Sequence, residues 1–399
     1  MVMDILERFK KYIAFDTMSD ENSSTYPSAE SELQFGKMLE KDLKEIGVTN
    51  AYQDEWGLVY GHIENGSEKT IGLIAHMDTA PTINGGCVNT KEVDNYDGND
   101  IVLNDKYTMK VADFPFLKDL VGQDLLCTDG EHLLGADDKA GIAIIFAFAE
   151  YYLAHKEEFK YNLAICFTPD EEIGMGPAHF DVNKMNANIA YTVDGGPIDR
   201  ANFENFNAAA AKLEIDGVGV HPGSAKGIMV NAVLLAIEFN NLLPQDAIPS
   251  KTENYEGFIH LEHFKGDVEH VELGYILRDH DANLLENQKK TLQKAAEFIQ
   301  NKYPTSKVIL QIRDQYRNMH EYFLKDMTAI ETLNKAYINS LTPLQYEPIR
   351  GGTDGATITY MGLPCPNIGT GGYNMHGRYE FLSITQMKKM VEILKELFK

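Results

Sequence analysis

The apolar positions of this chain change rhythm twice. Through the first half, short β-rich runs at residues 71–75 (IGLIA), 163–167 (LAICF) and 189–193 (IAYTV) alternate with helical stretches. Residues 140–153 are apolar nearly all round, which predicts a buried helix. Strands alternating with helices predict an α/β layer with a largely parallel sheet. At the N-terminus Ile5, Phe9 and Ile13 share one helical face, with charges on the other.

After about residue 206 the order of elements is different. Residues 211–215 read as a strand and 224–243 as a helix closed by Pro244. Residues 257–264 and 268–277 read as two strands around a Lys265-Gly266-Asp267 turn. A helix over 282–302 stops before Pro304, and 307–313 alternates as a last strand. This β-α-β-β-α-β order packs two helices on one antiparallel sheet. From about residue 318 the alternation of helix and strand resumes and ends in an amphipathic helix over 385–398. The chain therefore divides into a larger α/β domain made of 1–206 and 318–399, interrupted by an α+β domain over 207–317.

The 399 residues suffice for roughly two or three domains. Lys and Arg number 36 against 60 Asp and Glu, a formal net charge of −24. That balance argues against a phosphate-binding surface, so neither nucleic acid nor an anionic membrane is an expected partner. Cys87, Cys127, Cys166 and Cys365 are scattered with no close pair, which excludes a cysteine-based zinc knuckle and disfavours a disulfide scaffold. Acids and lysines interrupt the N-terminal apolar positions, unlike a secretory signal. The most apolar stretch, 140–149, is bounded by Lys139 and Glu150 and falls well short of the roughly 20 residues that span a bilayer. A cytoplasmic location is the expectation.

Open α/β sheets place ligands beyond the carboxyl ends of their strands. His76-Met77-Asp78-Thr79 follows the first strand, Thr168-Pro169-Asp170-Glu171-Glu172 the second and Asp194-Gly195-Gly196 the third. Gly135-Ala136-Asp137-Asp138-Lys139 precedes the apolar helix, and Tyr373-Asn374-Met375-His376-Gly377 lies near the C-terminus. Each piece has an ordinary explanation: a satisfied histidine, a helix N-cap at Asp137 or Asp138, a solvated loop at Glu171-Glu172, a turn at Asp194. Their coincidence at one sheet edge favours chemistry. Two divalent ions roughly 3.5–4 Å apart need a bridging carboxylate, and each wants terminal histidine or carboxylate donors. His76, His376, Asp137, Glu172 and Asp194 meet that need with one bridge. Glu171 is then a spare carboxylate for proton transfer, and Asp78 is placed to bind the far nitrogen of His76.

The segments HMDT at His76, GADDKAG at Gly135, FTPDEEIGMG at Phe167, YTVDGG at Tyr191, HPGSAKG at His221, IRGGTDGA at Ile349 and GTGGYNMHG at Gly369 resemble the cocatalytic-zinc M20 metallopeptidases, a family holding tripeptide aminopeptidases, glutamate carboxypeptidases and deacylases. The seven motifs run in order from about residue 71 to 377. The resemblance implies a zinc-peptidase-like α/β catalytic domain with a mostly parallel mixed sheet, and an inserted α+β domain of lid or dimerisation type. It implies two Zn2+ per subunit, Asp137 bridging, with His76 and Asp194 completing one ion and Glu172 and His376 the other. It casts Glu171 as general base and acid acting on a metal-bound water, Asp78 as orienter, and places a cis peptide after Asp137. His221, in the inserted domain, would help hold the scissile carbonyl oxygen. Arg278 and Arg350 are candidates for the peptide's terminal carboxylate, against the alternative of surface salt bridges. The implied activity is removal of the N-terminal residue from short peptides, with tripeptides first; carboxypeptidase, N-acyl amino acid deacylase and non-hydrolytic peptide binding are the alternatives. A homodimer is compatible with the resemblance.

Overall fold

The computed structural model describes residues 3–399, and the three β-rich runs of the first half lie side by side in it. Thr70–His76 pairs in parallel with Asn162–Thr168 on one flank and with Ile189–Val193 on the other. They are the centre of an eight-stranded mixed sheet, extended in parallel by Asn367–Ile368 and capped on the far flank by the antiparallel strand Val59–Ile63. Nearly every residue of the three central strands is buried, as a sheet covered on both faces requires.

The apolar stretch forms the helix Ala136–Ala154 and packs on the central strand, on the helix Ile5–Ile13 and on the C-terminal helix Ile384–Phe398. Phe146 stacks on Phe167 with ring centroids 5.7 Å apart, which locks helix to sheet. Gly141 permits the close approach, because a Cβ there would stand 1.9 Å from the Val193 carbonyl oxygen. The first turn is irregular: Asp137 and Asp138 have non-helical backbone angles and a cis peptide joins them.

The chain separates into two units. The first holds the residues up to Phe203 with Tyr322–Glu347 and Thr353–Lys399; the second holds Glu204–Glu321 with Pro348–Gly352. Within the second unit an antiparallel sheet has the order Phe258–Gly266, His270–Asp279, Asn207–Asp216, Lys307–Tyr316. Helices Ala232–Asn241 and Ala282–Lys302 cover one face of it, burying Leu235, Phe239, Leu292 and Ile299 against Leu213, Leu273 and Leu277. Pro348–Gly352 joins this unit through a bridge between Asn205 and Ile349, where the sequence reading leaves it in the larger domain.

One helix is shorter than the periodicity predicts. The helix expected over 224–243 begins at Ala232, because Gly227 takes φ +76° and Asn231 caps the amides of Val233 and Leu234. Among the described residues no helix is long and apolar enough to cross a membrane. All four cysteines are free and buried.

Candidate metal centre

The register of the central sheet brings the carboxyl ends of the three strands level. His76 is opposite Thr168, and Ile74 is opposite Thr192, two positions before Asp194. The irregular first turn of Ala136–Ala154 presents Asp137 to the same edge, and the loop after Gly372–Tyr373 presents His376 with φ +61°.

These residues meet around one carboxylate. Asp137 Oδ1 lies 2.9 Å from His76 Nε2, and Asp137 Oδ2 lies 3.1 Å from His376 Nε2. Glu172 Oε2 lies 3.0 Å from the same nitrogen of His376. Two donor groups result, His76–Asp137–Asp194 and Asp137–Glu172–His376, and within each the donor atoms lie within 4.8 Å of one another. Asp137 is common to both.

Asp78 organises the cluster from behind. Its carboxylate is buried, approaches His76 Nδ1 to 3.3 Å and accepts the backbone N–H groups of Glu171 at 3.0 Å and Glu172 at 3.1 Å. His76 Nδ1 also lies 3.1 Å from the Asp78 backbone carbonyl, and these two oxygens on the inner ring nitrogen leave Nε2 to face the cluster.

Electrostatics mark the site as crowded with negative charge. Burial raises the carboxyls of Glu171, Glu172 and Asp194; the charge of Asp354 adds to the first, that of Asp137 to the other two. At Asp137 burial works the same way, yet hydrogen bonds from His376 and His76 overcome it and hold the carboxyl well below the usual range. The same bonds to Asp137 and Glu172 push the His376 imidazole up to about 11.

The donor set fits a pair of divalent cations. Neighbouring donors of one tetrahedral zinc, with bonds of about 2.0–2.1 Å, stand about 3.3 Å apart, close to the histidine–carboxylate separations here. Glu172 Oε1 is buried and, among the described residues, has no hydrogen-bond partner, a state that a cation relieves. The ligands are nitrogen and oxygen donors without thiolates, the type that suits zinc, cobalt or manganese.

Two further buried acids escaped the sequence reading. Glu380 accepts the amides of Gly135 at 2.8 Å and Asp137 at 3.2 Å, and burial pushes its carboxyl up to about 7. Asp354 accepts the Thr168 hydroxyl at 2.9 Å and is likewise pushed up to about 7 by burial. Glu380 lies four positions after His376 and Asp354 lies in IRGGTDGA, so motif proximity was the available signal.

The expected substrate residues fall in the other unit. His221, Arg278 and Arg350 all belong to the second unit. His221 is exposed and its Nδ1 accepts the Gly223 amide at 3.1 Å. Arg278 donates to the carbonyls of Leu277 and Ala209 and to Gln315, and lies over the Tyr316 ring. Arg350 donates to the carbonyls of Asn254 and Glu256 and to the Thr252 hydroxyl, beside the rings of Phe206 and Phe258.

Comparison with known proteins identifies the family and the fold. Residues 132–399 match the profile of Peptidase family M20/M25/M40. Peptidase T of Clostridium perfringens (strain 13 / Type A) is 48% identical over 397 residues, covering 98% of each chain. Among solved structures, aminopeptidase PepT from Bacillus cereus superposes with a TM-score of 0.76 at 19% identity, covering 99% of this chain and 97% of that one. A tripeptidase from Staphylococcus aureus gives 0.76 at 18% identity, with the same coverage.

Proposed function

The chain belongs to peptidase family M20/M25/M40, and from that membership and its five-donor cluster we propose that it is a cytoplasmic dinuclear-zinc aminopeptidase that removes the N-terminal residue from short peptides, tripeptides first. The observation that carries the proposal is the shared carboxylate: one Asp137 oxygen faces His76 and the other faces His376. The names of its relatives, peptidase T, aminopeptidase and tripeptidase, support the same substrate class.

In this reading His76 and Asp194 would hold one ion, Glu172 and His376 the other, and Asp137 would serve both. Bound there, divalent ions lower the pKa of a water to about 7 and polarise the scissile carbonyl. Glu171, outside both donor groups, takes the proton of the attacking water on its carboxylate and passes it to the departing amine. Asp78 fixes the tautomer of His76 and the backbone that carries Glu171.

The test is hydrolysis of a free and an N-acetylated tripeptide by zinc-loaded protein and by Glu171→Gln. The free peptide is cleaved and the acetylated one is not, whereas a deacylase or carboxypeptidase accepts a blocked amine. Glu171→Gln binds the metal and loses at least about 10²-fold in kcat. Near-normal turnover by that variant removes Glu171 from the role of base.

A further inference from the structure

Three consecutive peptide N–H groups, those of Asp170, Glu171 and Glu172, are each taken by a buried carboxylate. Asp78 takes the second and third. The first goes to Glu32 Oε2 at 2.9 Å, from a residue 138 positions earlier in the chain. Glu32 lies in the first turn of the helix Glu30–Ile46 and is fully buried. Its other oxygen accepts the Ala29 amide at 3.1 Å and the Ser28 hydroxyl at 3.3 Å. The contact is returned, since Asp170 Oδ2 accepts the Ser28 amide at 2.8 Å. A short distance along the same loop the Tyr26 hydroxyl donates to the Gly176 carbonyl at 3.0 Å.

We propose that Glu32 is a positioning residue for the turn that starts at Asp170, and that through this turn it sets the direction of the Glu171 carboxylate. Asp170 needs such a hold, because it has φ +57°, a left-handed conformation that a residue with a Cβ adopts only when its surroundings fix it. Asp78 secures the amides after Asp170, and the Ser28 and Met175 amides bond the carboxylate and carbonyl of Asp170, which leaves its own N–H to Glu32. The carboxyl of Glu32 supplies the missing point and ties the turn to the N-terminal end of a long helix, which is a rigid anchor.

The surroundings also say which substitution Glu32 tolerates. Burial first, then the charges of Asp78 and Asp170, push its carboxyl up to about 9. Asp170 Oδ1 is buried and has no hydrogen-bond partner among the described residues. Glutamine is isosteric and keeps a carbonyl oxygen for the Asp170 amide, while its NH2 replaces the oxygen that faces the Ala29 amide, so the hold on Asp170 survives at some cost in stability. Alanine removes both.

This inference rests on Glu171 as the general base, and a double-mutant cycle separates the two ideas. Glu32→Ala lowers kcat by about 10–10²-fold, the size of effect that a misplacement near 1 Å causes, while KM stays within about twofold and bound zinc is unchanged. Glu32→Gln restores kcat to within about threefold of the wild type. In a Glu171→Gln background Glu32→Ala has no further effect, because the group it positions is gone. If Glu32→Ala does not fold, Glu32→Asp, whose carboxyl is too short to reach the Asp170 amide, takes its place with the same expectation. Wild-type kcat in the Ala or Asp variant overturns the proposal, and so does a Gln variant as slow as Ala or a loss appearing in KM or zinc content. A fully active Glu171→Gln instead defeats the assignment of the base, whatever Glu32 does.

Discussion

Asp78 holds Glu171 by the main chain: its Oδ1 accepts the Glu171 amide at 3.0 Å, while the same side chain approaches His76 Nδ1 to 3.3 Å. One carboxylate thus ties a metal-facing imidazole to the backbone of the proton-transferring residue, and a change at Asp78 is felt at both.

Asp78→Asn is nearly isosteric but puts an NH2 where a carboxylate oxygen now receives an N–H, setting donor against donor. The expected outcome is zinc affinity weakened by about 10–100-fold and a fall in kcat that zinc saturation does not repair. Metal titration followed by assay at saturating zinc checks it; full rescue by zinc would confine Asp78 to ligand orientation.

Asp137 supplies one oxygen to each donor group, so Asp137→Ala disrupts both at once. Elemental analysis is expected to find about two zinc ions per chain in the wild type and at most about one in the variant. Two ions at full occupancy in the variant would reject the bridge. Chelation of the wild type should lower its melting temperature, because a ligand bound only by the folded state stabilises it, and the clustered carboxylates then repel one another.

Arg350 donates to three carbonyls and a hydroxyl of the segment 252–256 and packs beside two aromatic rings. Arg350→Met removes hydrogen bonds to exposed and half-buried acceptors, which water can then reach, and is expected to destabilise the second unit by about 0.5–1.5 kcal/mol. Chemical denaturation with a probe in that unit measures it. An unchanged stability with a raised KM would return Arg350 to the substrate carboxylate.

Glu40 supplies a pH dependence of stability. Its hydrogen bond with Lys44, aided by those of Lys37 and the Gln53 amide, outweighs burial and holds its carboxyl down to about 2. The folded value is below the unfolded one, about 4.3, so the contribution is complete above that value and is lost as pH falls toward 2. Glu40→Gln is therefore less stable than the wild type at pH 7, and the gap narrows below about pH 4.3. Melts of both proteins from pH 7 to 3 test this; a gap that widens in acid would contradict it.

The strands and helices of the first half were legible because each has a local cause. Residues 71–75, 163–167 and 189–193 carry β-rich runs, the helix that follows Asp138 is apolar all round, and α/β sheets deliver ligands at strand ends. The family motifs added which acids to group, and the structure draws those groups around Asp137. Periodicity misjudged the start of Ala232–Asn241, where a left-handed glycine and an asparagine cap outweigh the apolar pattern.

The sequence by itself determined the order of elements and the residue types at one sheet edge, since both follow from hydrophobic period and from chemistry carried by single side chains. Only the tertiary structure decided that Glu32 meets Asp170, that Glu380 holds the Gly135 and Asp137 amides and that Arg350 spends its donors on backbone carbonyls. Each of these is a hydrogen bond between segments more than 90 positions apart. Such a bond leaves no repeating trace along the chain, because its energy depends on which buried group packing brings within about 3 Å of the donor.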